Sequence, residues 1–257
     1  MRRFLLRLFL SLLFIGIGLA AWAQRHRISA ALEQLRISNH ISDPAPDPAT
    51  YTVLSRDLED HRQRLGRSYD TANLDRDRTQ ILNQARELLQ LSLPQLMQCW
   101  LGTPWDFNGT ADEPGTGKVA CGYFVSSVLQ DAGFRVEWAP LAQQASQNIL
   151  RTFLSAEEMK IRVGMDYDRF LNEVLSSGRG IYIVGLDSHV AFLVVDAKRE
   201  MRFIHSSGSS PYCVVDESRE RSQVLRSSHY RVTGNLTASD EVLRKWIRGE
   251  QFRTQTR

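Results

Sequence analysis

Apolar residues in the first half of the chain recur at helical spacing. Over residues 74–91 they fall three and four positions apart, which places them on one face of a helix. Residues 92–94 predict a new helix start, because proline is tolerated in a first helical turn. Another helix is predicted to begin at Cys121 and to end near Gly133, a residue typical of helix C-termini. Residues 139–176 are predicted to be mainly helical.

The pattern changes in the second half, where apolar runs alternate with turns rich in Gly, Pro, Asp and Ser. Strands are predicted over residues 180–186, 190–195, 201–206, 212–216 and 228–232. A last amphipathic helix is predicted over residues 239–249. A strand meander that follows a set of helices, without alternating with them, favours an α+β fold.

The first 23 residues are typical of an export signal. Arg2 and Arg3 precede an almost wholly apolar run over residues 8–21, and residues 21–23 form a small-x-small cleavage pattern. An uncleaved membrane anchor is the alternative, but the run is short for a span that needs about 20 apolar residues. We therefore expect cleavage before Gln24, no stable membrane span in the mature protein, and a periplasmic or extracellular location.

Four parts are expected along the chain: the signal (1–23), a helical N-terminal region (24–90), a globular domain (91–235) and a C-terminal helix and tail (236–257). A proline-rich linker over residues 43–48 divides the N-terminal region. With 42% hydrophobic and 24% charged residues, the chain can bury a core. Its net charge of +3 gives no basic footprint for a nucleic-acid partner.

Cys121 is the candidate nucleophile. A cysteine attacks only as thiolate, so its pKa must be lowered, and the positive end of a helix dipole can do this. Cys121 stands at a predicted helix start between the small residues Ala120 and Gly122. These neighbours leave room for a substrate carbonyl, and the N–H of Cys121 could donate to the oxyanion.

Two histidines downstream supply the remaining catalytic candidates. His189 precedes a predicted strand and is our candidate general base. His205 lies near the end of the next strand, where it could share a sheet face with His189 and orient its ring. Metal binding by Cys121 and both histidines is the rival interpretation. Zinc sites usually draw two ligands from one short motif, and none occurs here, so no metal or cofactor is expected.

The other two cysteines leave a question open. Cys99 and Cys213 could form a disulfide in an exported protein, which would leave Cys121 as the odd thiol. The alternative is that all three are buried cysteines that pack as small apolar side chains.

Four segments resemble the motifs of the NlpC-type papain-like cysteine peptidases of bacterial cell walls. These segments are Leu101-Gly102-Thr103-Pro104-Trp105, Ala120-Cys121-Gly122-Tyr123-Phe124-Val125, Ser188-His189-Val190-Ala191-Phe192 and Phe203-Ile204-His205-Ser206-Ser207. The resemblance implies a papain-like α+β domain over residues 91–235, with the nucleophile helix packed on an antiparallel sheet. It also implies hydrolysis of amide bonds in peptidoglycan stem peptides by Cys121, His189 and His205.

The chain departs from the family pattern beside the nucleophile. Ala120 and Gly122 replace the usual aspartate and serine, so the family's preference for a free amine is not carried over. Trp105 replaces a tyrosine. We expect Trp105, Gly122 and Ser188 to contact the substrate. The changed residues also favour a second hypothesis, a catalytically silent envelope protein that binds a cell-wall or protein partner through the same cleft.

Overall fold

The computed structural model describes residues 44–256. The predicted export signal and the N-terminal region up to residue 43 lie outside the described residues. From Ala45 onwards the chain forms one compact unit. Among the described residues, no helix is long and apolar enough to cross a membrane.

The described chain forms an α+β fold with eight helices and six strands. The helices are α1 (Pro48–Thr71), α2 (Asp75–Cys99), α3 (Cys121–Asp131), α4 (Trp138–Ala142), α5 (Ser146–Phe153), α6 (Tyr167–Ser176), α7 (Gln223–Ser227) and α8 (Asp240–Arg248). The strands are β1 (Met159–Val163), β2 (Gly180–Leu186), β3 (Val190–Val195), β4 (Met201–Ser206), β5 (Val214–Ser218) and β6 (Tyr230–Asn235).

Helix α2 is longer than the apolar pattern predicts. The predicted restart at residues 92–94 is wrong, because α2 continues to Cys99 with Pro94 inside it. Leu93 and Leu96, on either side of the proline, are fully buried. Burial of each leucine contributes about 1.5–3 kcal/mol, which offsets the roughly 3 kcal/mol cost of an interior proline. The predicted domain boundary after residue 90 falls inside this helix.

The six strands form one sheet in the order β1-β6-β2-β3-β4-β5, and every neighbouring pair is antiparallel. The predicted bounds of β2, β3 and β4 are confirmed. Strands β5 and β6 each begin two residues later than predicted, at Val214 and Tyr230. The meander from β2 to β5 brings the two histidine segments together.

Strand β1 lies inside the region predicted to be helical, so that part of the prediction is wrong. Its side chains Ile161 and Val163 are exposed, at 52% and 62%. An edge strand of this kind has no strong alternation of apolar and polar residues to reveal it. It forms because its backbone pairs with β6, with Ile161 opposite Val232.

The two faces of the sheet pack on different helices. Val190, Phe192 and Ile204 face a core that they share with α2, α3 and α8, which we call the α3 face. Their alternate neighbours face a smaller core that includes α6, which we call the α6 face, and Ala191 and Phe203 lie there. The resulting arrangement places helices on both sides of the central strands.

Candidate active site

The backbone around the start of α3 is held from two sides. Cys121 is the first residue of the helix, and Ala120 precedes it in an extended conformation. The N–H of Ala120 donates to the carbonyl of Gly109 at 2.9 Å. The hydroxyl of Ser206, at the end of β4, donates to the carbonyl of Val119 at 2.7 Å. These bonds tie the segment of the candidate nucleophile to a loop and to the sheet.

The thiol of Cys121 is half-buried, and this burial raises its pKa above the usual value. The backbone N–H groups of Val190 and Gly122 interact with the sulfur and act in the opposite direction, but burial is the largest effect. The result is opposite to the lowered pKa expected from a helix start. Val190 directly follows His189, so this contact brings the sulfur to the strand that carries the candidate base.

His189 and His205 are in contact, as the sequence predicts. Nε2 of His189 lies 2.9 Å from Nδ1 of His205, and the rings are nearly perpendicular, at 85°. The register of β3 and β4 pairs Phe192 with Ile204, so His189 lies diagonally across from His205 and not directly opposite. His205 is fully buried, whereas His189 is half-buried.

The turn that carries His189 is anchored by Asp187. Its carboxylate accepts hydrogen bonds from the Ser228 hydroxyl at 2.8 Å and from the N–H groups of His229 and Tyr230 at 2.7 and 2.9 Å. Within the turn, the N–H of Leu186 donates to the carbonyl of His189 at 2.8 Å. The backbone of the candidate base is therefore fixed before any substrate binds.

The resting histidine is neutral. Burial is the main cause that lowers the pKa of His189 to about 3, and the adjacent His205 ring contributes to a smaller extent. Burial likewise favours the uncharged form of Cys121. The pair at rest is therefore a thiol and an imidazole, and not a thiolate and an imidazolium.

Glu217 is a further member of the site that the sequence did not indicate. Its Oε2 lies 3.2 Å from Nε2 of His205. The register pairs His205 with Val215, so Glu217 lies two residues further along β5 on the same face. The predicted strand ended at residue 216, and no local motif marks Glu217 as functional.

The candidate nucleophile and the two histidines lie towards different faces of the sheet. Helix α3 packs on the α3 face, where the Phe124 and Phe192 rings are 5.9 Å apart. The histidines group with Phe203 of the α6 face, and its ring centroid lies 4.2 Å from that of His205. Cys121 and the histidines come together at the N-terminal end of β3, because His189 directly precedes Val190, the first residue of the strand.

Gly122 is required by helix packing. A Cβ atom at this position would lie 2.0 Å from the carbonyl oxygen of Ala142, at the end of α4. Gly122 is buried as well. Packing alone is therefore enough to account for the glycine beside the candidate nucleophile, where the sequence suggests room for a substrate carbonyl.

Trp105 is half-buried, and Ser188 is exposed. The Trp105 backbone N–H donates to the carbonyl of Tyr212 at 2.8 Å, and the two rings are 6.3 Å apart. Phe107 is 80% exposed and Tyr212 is 57% exposed. Ser188 belongs to the turn directly before His189.

No metal site is present among residues 44–256, where no group of three or more His, Cys, Asp and Glu side chains could hold an ion. Cys99 and Cys121 are free thiols, so the disulfide considered for Cys99 is not formed. The Cys99 thiol donates to the carbonyl of Gln95 at 3.4 Å within α2.

Four elements supply the candidate site: α3 carries Cys121, the β2–β3 turn carries His189, β4 carries His205 and β5 carries Glu217. His189, His205 and Glu217 contact one another in series, and the Cys121 sulfur adjoins them through the N–H of Val190. An imidazole held in this way can accept a proton from a thiol. The chain matches no protein-family model, no curated protein and no solved structure.

Alkylation of Cys121 tests the protonation state of the resting site. Because only the thiolate reacts, iodoacetamide is expected to modify native Cys121 slowly at neutral pH. The rate should rise at a higher pH than for the same cysteine in urea-unfolded protein, because burial raises the native pKa. Mass spectrometry of the Cys121 peptide after timed exposure gives both profiles. A native profile that rises at a lower pH than the unfolded one would contradict this expectation.

Proposed function

We propose that this protein is an exported cysteine peptidase or amidase that hydrolyses amide bonds in peptidoglycan stem peptides. The observation that carries the proposal is the 2.9 Å contact between His189 and His205, next to a strand residue whose N–H interacts with the Cys121 sulfur. A nucleophile, a base and a residue that orients the base are the parts that covalent amide hydrolysis needs.

In the proposed reaction, His189 accepts the thiol proton while the Cys121 sulfur attacks the amide carbonyl carbon. A carbon–sulfur bond forms, and the carbonyl oxygen takes the negative charge, with the N–H of Cys121 as one donor to it. The carbon–nitrogen bond then breaks, and His189 gives the proton to the leaving amine. Water, deprotonated by His189, then attacks the thioester carbonyl carbon. The carbon–sulfur bond breaks, the acid is released, and His189 returns the proton to the sulfur.

The NlpC-type assignment is part of the proposal. It is supported by the four sequence motifs, which lie together on α3, β3, β4 and the loop around Trp105. An antiparallel sheet with the nucleophile helix on one face agrees with what the resemblance implies. The apolar segment and small-x-small pattern near the N-terminus support export, and peptidoglycan is the polymer that an exported enzyme of this class would meet.

Digestion of purified sacculi tests the proposal. The full chain is incubated with sacculi, and new amino termini in the released peptides are identified by mass spectrometry. We expect one class of amide bond to be cleaved by the wild-type protein and by Cys99→Ala, but not by Cys121→Ala. Cys99 is the matched control, because it is another free thiol outside the histidine group. Identical fragments from wild type and Cys121→Ala would overturn the proposal.

The second candidate function is a silent binding protein that uses the same cleft. The raised pKa of Cys121 and the lowered pKa of His189 favour it, because neither group is charged at rest. This function predicts that wild type and Cys121→Ala cosediment equally with sacculi and that neither releases peptides. Cleavage that depends on Cys121 excludes it.

A further inference from the structure

Glu217 completes a line of side chains that begins at His189. His205 lies between them, with Nδ1 2.9 Å from Nε2 of His189 and Nε2 3.2 Å from the Glu217 carboxylate. We infer that Glu217 is a positioning residue that sets the tautomers of both histidines, and thereby keeps Nδ1 of His189 unprotonated and able to accept the thiol proton. The role of that nitrogen as a proton acceptor rests on the proposed function. The tautomers follow from the contacts of the two rings and do not depend on that function.

The contact between Glu217 and His205 determines which nitrogen of His205 carries the proton. An ionised carboxylate can only accept hydrogen bonds. Nε2 of His205 must therefore carry the proton and donate it to Oε2 of Glu217. Since His205 is fully buried, water does not compete for this nitrogen. The Glu217 side chain keeps 25% of its surface exposed, so its charge is partly hydrated.

The tautomer of His205 in turn determines the tautomer of His189, because Nδ1 of His205 contacts Nε2 of His189. A neutral imidazole has one N–H and one acceptor nitrogen. If the His205 ring is neutral, with its one proton on Nε2, its Nδ1 can only accept, so Nε2 of His189 must donate to it. The same rule leaves Nδ1 of His189 without a proton. A single carboxylate thus sets the tautomers of two rings that it contacts in series.

The negative charge of Glu217 would also stabilise the His189 cation that forms in the proposed reaction. When His189 takes the thiol proton it becomes a cation, and the Glu217 carboxylate is negative two hydrogen bonds away. The carboxylate on the adjacent residue, Asp216, is paired with Arg202 at 2.7 Å. Glu217 is therefore the carboxylate that favours the cation through the hydrogen bonds of His205.

The tautomers can be observed without a substrate. Two-bond proton–nitrogen correlation spectra of the ¹⁵N-labelled full chain distinguish protonated from unprotonated ring nitrogens. His189→Gln and His205→Gln each remove one ring and so assign the signals. We expect both rings to be neutral and protonated at Nε2 at neutral pH. Protonation of either ring at Nδ1 in the wild-type protein would overturn the inference, and this result needs no variant of Glu217.

Glu217→Gln tests the cause. An amide can donate as well as accept, so it no longer excludes the other His205 tautomer. We expect a second set of ring signals for both histidines in Glu217→Gln, and turnover lowered about tenfold at unchanged KM. The control, Glu220→Gln, removes the same charge from an exposed carboxylate that pairs with Arg219, and should leave the spectra unchanged.

The outcomes separate the inference from the proposed function. Wild-type tautomers retained in a folded Glu217→Gln would overturn the role of Glu217, whatever the activity. The expected tautomers together with no cleavage of sacculi would overturn the proposed function and leave the role of Glu217 intact.

Discussion

Replacing His189 with glutamine is expected to lower turnover on purified sacculi by about 10³-fold or more. Glutamine keeps a polar group in the turn but cannot take up the thiol proton. Because burial keeps the resting Cys121 a neutral thiol, the proposed attack needs a base at the moment when the sulfur approaches the carbonyl. His61→Gln is the matched control, since His61 lies exposed on α1 and bonds only the local carbonyl of Asp57 at 2.8 Å.

The double variant His189→Gln/Cys121→Ala sharpens this test. Residues that act as one unit give strongly non-additive losses, so the double variant should be no slower than Cys121→Ala alone. Initial rates of amino-terminus release measure all of these proteins. If His189→Gln kept turnover within a few-fold of wild type, His189 would not be the general base.

Gly122→Ser is expected to lower the free energy of unfolding by about 3 kcal/mol, at the upper end of the usual cost of overpacking. The added Cβ would meet the backbone oxygen of Ala142 at 2.0 Å, and a backbone atom cannot move aside as a flexible side chain can. Helix α4 would have to shift away from α3. Urea denaturation measures the loss.

Gly117→Ser is the control for this prediction. A Cβ there meets only the Ala111 methyl group, at an ordinary distance of 3.9 Å, so little change is expected. If Gly122→Ser were as stable as wild type, packing would not be the reason for glycine beside Cys121. If it is destabilised, the position of α4 explains why glycine, and not the serine of the resembled motif, stands beside Cys121.

Strongly periodic segments were predictable from the sequence. Strands β2 and β3 consist of continuous apolar runs that end at turn residues, so both their type and their bounds are locally encoded. Strand β4 contains Arg202, His205 and Ser206 among its apolar residues, and its bounds were predicted from these apolar residues and from the turns on either side. Helix α3 could be predicted from its apolar face and from Gly133, whose φ of 88° ends the helical conformation.

Elements that depend on distant partners were not predictable. Strand β1 has exposed side chains on a sheet edge and forms through pairing with β6. The continuation of α2 through Pro94 depends on burial against the rest of the core, and a local rule for proline cannot include that contribution.

The candidate site divides in the same way. Cys121, His189 and His205 could each be singled out from the residues immediately around them, because a helix start and two strand ends are local features. The sequence also predicted that the two histidines share a sheet face, since a short turn joins β3 to β4. To this extent the sequence alone determined the candidate chemistry and the α+β class.

Only the tertiary structure decided how that chemistry is set. Glu217 is twelve residues from His205 in the chain and reaches it through the register of β4 and β5. The sign of the Cys121 pKa shift depends on burial beneath other elements, which outweighs the nearby N–H groups. Gly122 owes its identity to the end of α4. These properties arise from contacts between elements, and a linear sequence does not specify which contacts form.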